Sequence, residues 1–153
     1  MSVVESKEKA CRVLIIEDDY DDVFLLKRAL ADVERILNRK IECEHVDNGR
    51  DAVFVVSKED QTDKLPDALI LDLNMPKLNG IEFLRALRKS LQLKDLPVFV
   101  LTTTEAPSIH EEAIRAGADR VYVKPNDAET LGAIALEMIV ATLNPRPKQQ
   151  GAS

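Results

Sequence analysis

The sequence predicts an α/β protein in which a five-stranded parallel sheet carries helices on both faces. Three observations predict it. Short apolar runs alternate five times with longer segments whose apolar residues recur at steps of three and four. Most of the runs are continuous, as in strands covered on both faces. At 153 residues, 45% hydrophobic and 31% charged, the chain has the size and composition of one domain with a full core.

The elements follow in order. RVLII (12–16) is the first strand, and Val23, Leu26, Leu30, Val33 and Leu37 lie on one face of the first helix. IECEHV (41–46) alternates and reads as a strand with one face partly wet. Asp47-Asn48-Gly49 is a turn, and a helix runs from Gly49 to about Lys58. LPDALILD (65–72) is the third strand, Gly80 to about Ser90 the third helix, and LPVFVLT (96–102) the fourth strand. Pro107 to Ala116 is a helix closed by Gly117. RVYVK (120–124) is the fifth strand, and Asn126 is expected to cap a last helix reaching about Leu143. The domain is therefore expected over 11–143, with flexible ends at 1–10 and 144–153.

Bulk properties exclude several classes. The formal charge of -6 argues against a nucleic-acid partner, which requires Lys and Arg to displace counterions from phosphates. No apolar run approaches the roughly 20 residues that span a bilayer, and MSVVESKEKA lacks the pattern of a secretory leader. The expected place is the cytoplasm, where Cys11 and Cys43 would be reduced structural thiols.

The chemistry concentrates at the carboxyl ends of the strands, where such sheets bind ligands. The first strand ends in Glu17-Asp18-Asp19, the third at Asp72, the fourth at Thr102-Thr103-Thr104 and the fifth at Lys124. In a doubly wound sheet of order 2-1-3-4-5 the first and third strands are neighbours, which would set Asp72 beside Glu17 and Asp18. Carboxylates at that range repel unless a cation neutralises them. An all-oxygen set without His or Cys suits Mg²⁺. Asp19, Asp21 and Asp22 are accounted for as the acidic start of a helix. No G-x-x-x-x-G-K-[ST] or G-x-G-x-x-G loop is present to cradle a nucleotide. His45 and His110 are expected outside the pocket, in surface or packing roles.

LIIEDD, LILDLNMPKLNG, VLTTTEA and VYVKP, in this order and spacing, resemble the receiver domains of two-component response regulators. The resemblance runs from about Arg12 to Leu143 and implies the flavodoxin-like receiver fold with strand order 2-1-3-4-5. It implies that Asp72 is the phosphoacceptor, taking a phosphoryl group from a sensor histidine kinase or a histidine phosphotransfer protein. Asp18, Asp72 and the Asn74 backbone carbonyl would hold Mg²⁺, with Glu17 acting through water. Thr103 would bond the phosphoryl oxygen and Lys124 would pair with it, with Lys124-Pro125 as a cis peptide. Such a protein is a signalling switch, and at most promotes its own phosphorylation and dephosphorylation.

One position departs from the family. The aromatic that commonly stands three residues before the lysine is Val121 here, with Tyr122 one place later, on the opposite face of the strand. Thr103 is then expected to move on phosphorylation and the signal to leave by another packing change. Only ten residues follow Leu143, so output is expected through protein contacts. The last helix is apolar almost all round, which predicts a homodimer through it and the fifth strand. The long first helix, the SKEDQTDKLPD connection and LTTTE look like the single-domain regulators paired with bacterial phytochrome kinases. The competing class is a Mg²⁺-dependent small-molecule phosphotransferase or phosphatase with Asp72 as nucleophile. Haloacid-type phosphatases place a second Asp two residues on, where this chain has Asn74, and they add a cap domain. A constitutive scaffold with a dead site is disfavoured by the complete set of acids, Thr and Lys.

Overall fold

A computed structural model describes residues 9–144, so the expected flexible ends lie outside the described residues except at 9, 10 and 144. Ten elements alternate as predicted: β1 (Cys11–Ile16), α1 (Tyr20–Leu37), β2 (Ile41–Val46), α2 (Gly49–Gln61), β3 (Ala68–Leu71), α3 (Gly80–Arg85), β4 (Val98–Thr102), α4 (Pro107–Ala116), β5 (Arg120–Val123) and α5 (Ala128–Leu143). All strand pairs are parallel, in the order β2-β1-β3-β4-β5. Strand order reverses between β1 and β3, which opens the crevice where ligands bind in such sheets.

Strand alternation divides the core in two. Val13, Ile15, Ile70, Phe99 and Leu101 face α1 and α5, against Leu26, Leu30, Met138 and Ile139. Leu14, Ile16, Leu69, Leu71, Val98 and Val100 face α2, α3 and α4, against Val56, Phe83, Leu87 and Ala113. β1, β3 and β4 are buried almost throughout, which is why they read as unbroken apolar runs. β5 is an edge strand, half-buried at best. Cys11 and Cys43 are free thiols on β1 and β2, and burial pushes Cys11 up to about 11, leaving it unreactive at neutral pH.

Three details differ from expectation. The third helix turns π-helical over Ala86–Ser90, where the Leu91 N–H reaches back to the Ala86 carbonyl at 3.0 Å. α5 is capped by Asp127 instead of Asn126, because the Asp127 carboxylate accepts from both the Thr130 N–H (2.6 Å) and its hydroxyl (2.9 Å). The Lys124–Pro125 bond is trans, since no peptide bond among the described residues is cis. Trans is the form a proline bond favours unless the fold demands otherwise.

Candidate functional site

The site is built where three strands end. Backbone ladders carry β1 and β3 up to it: the Asp72 N–H donates to the Ile16 carbonyl (3.0 Å) and the Glu17 N–H to the Val46 carbonyl (3.0 Å). Glu17 and Asp72 are each 6% exposed, whereas Asp18 is open to solvent. One carboxylate oxygen from each of the three lies within 4.8 Å of the others. From the end of β5, Lys124 enters this cluster. Its Nζ donates to Glu17 Oε1 (2.6 Å) and Asp22 Oδ2 (2.8 Å) and stands 3.9 Å from Asp72 Oδ2. The Lys124 N–H, donating to the Thr102 carbonyl at 2.7 Å, fixes the root of that side chain.

Burial sets the electrostatics. It pushes Glu17 up to about 7, with the Asp72 charge adding to the rise and the Lys124 and Asp19 N–H bonds opposing it. Burial raises Asp72 as well, against the pull of Lys124. For Lys124 burial works downwards, but its bonds with Asp22 and Glu17 prevail and its pKa rises, so the ammonium keeps its charge. Beneath the carboxylates lies a cavity of about 50 Å³ walled by Leu26, Ile70 and Leu101. That is space for an ion or a few waters.

The surrounding loops are pinned by short polar contacts. Asp19 caps α1, accepting from the Asp21 and Asp22 N–H groups (2.9 and 3.1 Å). Asp22 thereby faces inward at the third helical position and joins the site. As one acid in a run of them, it carried no separate signal in the sequence. His45, expected outside the pocket, bonds the Glu17 carbonyl through Nε2 (2.7 Å) and meets the Tyr20 ring edge-on at 5.3 Å. His110 bonds the Thr104 carbonyl (2.7 Å). Both steady loops. The Asn74 N–H donates to Asp72 Oδ1 at 3.4 Å, placing the Asn74 backbone beside the acid.

Thr103 is exposed and makes no hydrogen bond with a described residue. Thr102, last in β4, is fully buried and its hydroxyl accepts from the Thr104 N–H at 3.3 Å. Val121 packs in the core shared by α2, α3 and α4, whereas Tyr122 packs towards α1 and α5 and donates to Glu137 Oε1 (2.6 Å). The two side chains therefore point to opposite faces, as strand alternation predicts.

Residues 13–135 match the sequence model of the response regulator receiver domain. This chain belongs to that family. The receiver is 32% identical over 120 residues to the response regulator MprA of Mycolicibacterium vanbaalenii, a match covering 78% of this chain and 46% of that protein. MprA of Mycobacterium avium is 33% identical over the same length, with 47% of it covered. The chain thus spans about half the length of these relatives. Among solved structures, the phosphorylated cyanobacterial phytochrome response regulator RcpA aligns with a TM-score of 0.77 at 22% identity, covering 91% of this chain and 98% of that one. Response regulator RPA3017, from red light signalling in R. palustris, aligns at 0.76 and 25% identity, covering 89% and 96%. The Mn²⁺-bound response regulator Rcp1 aligns at 0.70 and 22%, covering 89% and 96%. The receiver is accordingly a two-component signalling domain, of a family that works with histidine kinases and phosphotransfer proteins and binds Mg²⁺ at an acidic pocket. Among the described residues no helix is long and apolar enough to cross a membrane.

Proposed function

We propose that this receiver accepts a phosphoryl group on Asp72 from the phosphohistidine of a sensor histidine kinase or a histidine phosphotransfer protein. The observation that carries this reading is a buried Asp72 carboxylate with an ammonium at 3.9 Å and two more carboxylates beside it. An Asp72 oxygen bonds to phosphorus as the phosphorus–nitrogen bond breaks, and the bonding pair returns to the donor imidazole. Such a transfer needs positioning and charge stabilisation more than covalent help. Lys124 holds the transferring oxygens by charge and hydrogen bond, and the α1 and α5 side chains around the small cavity limit water at the acyl phosphate.

The donor set fits Mg²⁺. Oxygen atoms of Glu17, Asp18 and Asp72 sit close enough to share one ion, and burial raises the pKa of Glu17 and Asp72, a cost that a bound cation would offset. With the Asn74 carbonyl they would hold a Mg²⁺ that supplies neutralisation of the phosphoryl oxygens. The hydroxyl partner, expected at Thr103, is proposed for Thr102. Thr102 is buried at the strand end, its carbonyl anchors Lys124, and it lies on the same face of β4 as Val100, which pairs with Val121 of β5. Thr102→Ala should shorten the life of the phosphorylated state while Thr103→Ala leaves it unchanged; the reverse restores Thr103.

The kinase is proposed to be of the bacteriophytochrome class, on the likeness to a regulator of red light signalling. The proposed homodimer through α5 and β5 draws on exposed Val123 and Val140, since most other apolar residues of α5 are packed into the core. A monomer in sedimentation velocity, with and without phosphorylation, would remove it. The main test is incubation with acetyl phosphate and Mg²⁺ followed by intact mass. A phosphate-sized gain in wild type and none in Asp72→Asn supports the switch. Continuous turnover of a small phosphate ester would favour the phosphatase reading instead.

A further inference from the structure

The loop that leaves Asp72 is wedged without slack between the phosphoacceptor and α2. A Cβ at Gly80 would fall 2.7 Å from Leu73 Cα and 2.8 Å from the Asp72 carbonyl oxygen, and one at Gly49 would fall 2.1 Å from the Leu78 carbonyl oxygen. Gly49 is the first residue of α2, so any shift of Leu78 is felt at the start of that helix. Within the loop Lys77 sits at φ 71°, a left-handed conformation that costs a side-chain-bearing residue free energy and is held by its surroundings.

Beside this loop α2 and Ala86, at the start of the π turn, border a groove of about 640 Å³ lined by Arg50, Val53, Phe54, Lys58, Lys77 and Leu78 among others. Every charged residue lining it is a cation, on a chain of net charge -6. None of Arg50, Lys58 and Lys77 forms an ion pair with a described residue. Of the three acids of α2, Asp51 accepts from the Asn48 side chain and Glu59 from Arg12, while Asp60 is exposed and does not line the groove. Phe54 is 69% exposed at the same groove, an apolar contact surface set among cations.

We propose that this groove docks an acidic segment of a downstream protein, with an aliphatic or aromatic anchor on Phe54 and carboxylates on Arg50, Lys58 and Lys77. The 73–79 loop makes its affinity follow the state of Asp72. This gives the receiver an output that does not need an aromatic at position 121. The coupling rests on the phosphoacceptor reading; the docking does not. Charge complementarity selects an acidic partner, and the exposed ring selects a protein segment over a bare polyanion.

The probe is a fluorescein-labelled peptide, EDLFDELLEE, titrated with the full chain before and after acetyl phosphate and Mg²⁺, with intact mass measured on the same samples. Saturable binding is expected, weakened about tenfold by either Phe54→Ser or Lys58→Glu, as for loss of one interface anchor. Both residues are exposed, so both variants are expected to fold, which circular dichroism checks. Phosphorylation should shift the affinity by about fivefold, a typical coupling. Absence of saturable binding, or affinity unchanged in both variants, overturns the docking. Equal binding of poly-glutamate assigns a nonspecific polyanion surface and also overturns it. A wild-type dimer that dissociates in Phe54→Ser assigns the groove to a second copy and overturns it too. Unchanged affinity despite a mass gain overturns the coupling. No mass gain in wild type defeats the phosphoacceptor reading and the coupling with it, while the docking stands or falls on the peptide alone.

Discussion

Lys124 and Arg88 are both cations sunk into the protein, with side chains 14% and 13% exposed, and they are held in opposite ways. Arg88 leaves the π turn after α3 and spends its guanidinium on the carbonyls of Gly117 (2.8 Å), Leu93 (2.6 Å) and Leu96 (2.7 Å), with Asp119 at 3.2 Å. Burial pulls its pKa down, and the charges of Asp119 and Asp95 oppose this only in part. Lys124 sits among carboxylates that raise its pKa, with two donors engaged and Asp72 at ion-pair range for the third. A rigid fork with its donors spent ties segments together. A compact ammonium with a donor to spare can follow a charge that appears and disappears. One cation is a fastener, and the other is the one proposed to serve the phosphoryl chemistry.

Removing Arg88 tests the fastener. Arg88→Met would leave three inward-facing carbonyls without their donor, at a cost of about 3 kcal/mol or more, since each unsatisfied buried acceptor costs about 1–3 kcal/mol. Urea unfolding should show it, and phosphoryl uptake by the remaining folded protein should be unchanged. Loss of uptake at full folding would join the two regions and end the contrast.

The next effect belongs to the pocket alone. Glu17 is raised from 4.5 to about 7, so the folded state holds a proton that the unfolded chain releases. Its contribution to stability is therefore fully present below about pH 4.5 and is lost as the pH rises through about 7. In chelator, unfolding free energy should fall with pH across this window, by no more than about 1.4 kcal/mol per unit for one proton. Saturating Mg²⁺ should flatten the slope, because a dication favours the ionised carboxylates. A slope that Mg²⁺ leaves untouched would argue against Glu17 as part of the metal site.

Much of this was legible in the sequence because the signals were periodic. Continuous apolar runs marked β1, β3 and β4, helical spacing marked α1, and the acids and the lysine fell at strand ends where the chain must turn. What was not legible depends on phase. Whether Asp19, Asp21 or Asp22 faces inward is decided by which of them caps α1, and Asp19 does. Whether Thr102 or Thr103 points into the protein is decided by where β4 stops, at Thr102. Arg88 carried no signal because its role depends on a π turn, whose extra residue per turn leaves no mark in the apolar pattern. Asn126 and Asp127 are equivalent as cap residues by type, and only geometry selects the second.

Asp22 offers the finest test, because the sequence reads it as a helix start and the structure reads it as a tether. Its Oδ2 accepts from Lys124 Nζ at 2.8 Å, and with Glu17 it fixes the ammonium so that Asp72 lies within reach. If Glu17 turns towards a bound cation, Asp22 is the neighbour left to position Lys124. Asp22→Asn should slow phosphoryl uptake from acetyl phosphate a few-fold, equivalent to about 1 kcal/mol, since its side chain is 36% exposed and solvent weakens the pair. Thermal unfolding should change little. Asp21→Asn is the control, because Asp21 lies in the same first turn, feels the same helix dipole and is exposed. If the two variants behave alike, Asp22 acts only as a helix-start charge. If only Asp22→Asn slows uptake, the first turn of α1 belongs to the phosphorylation site.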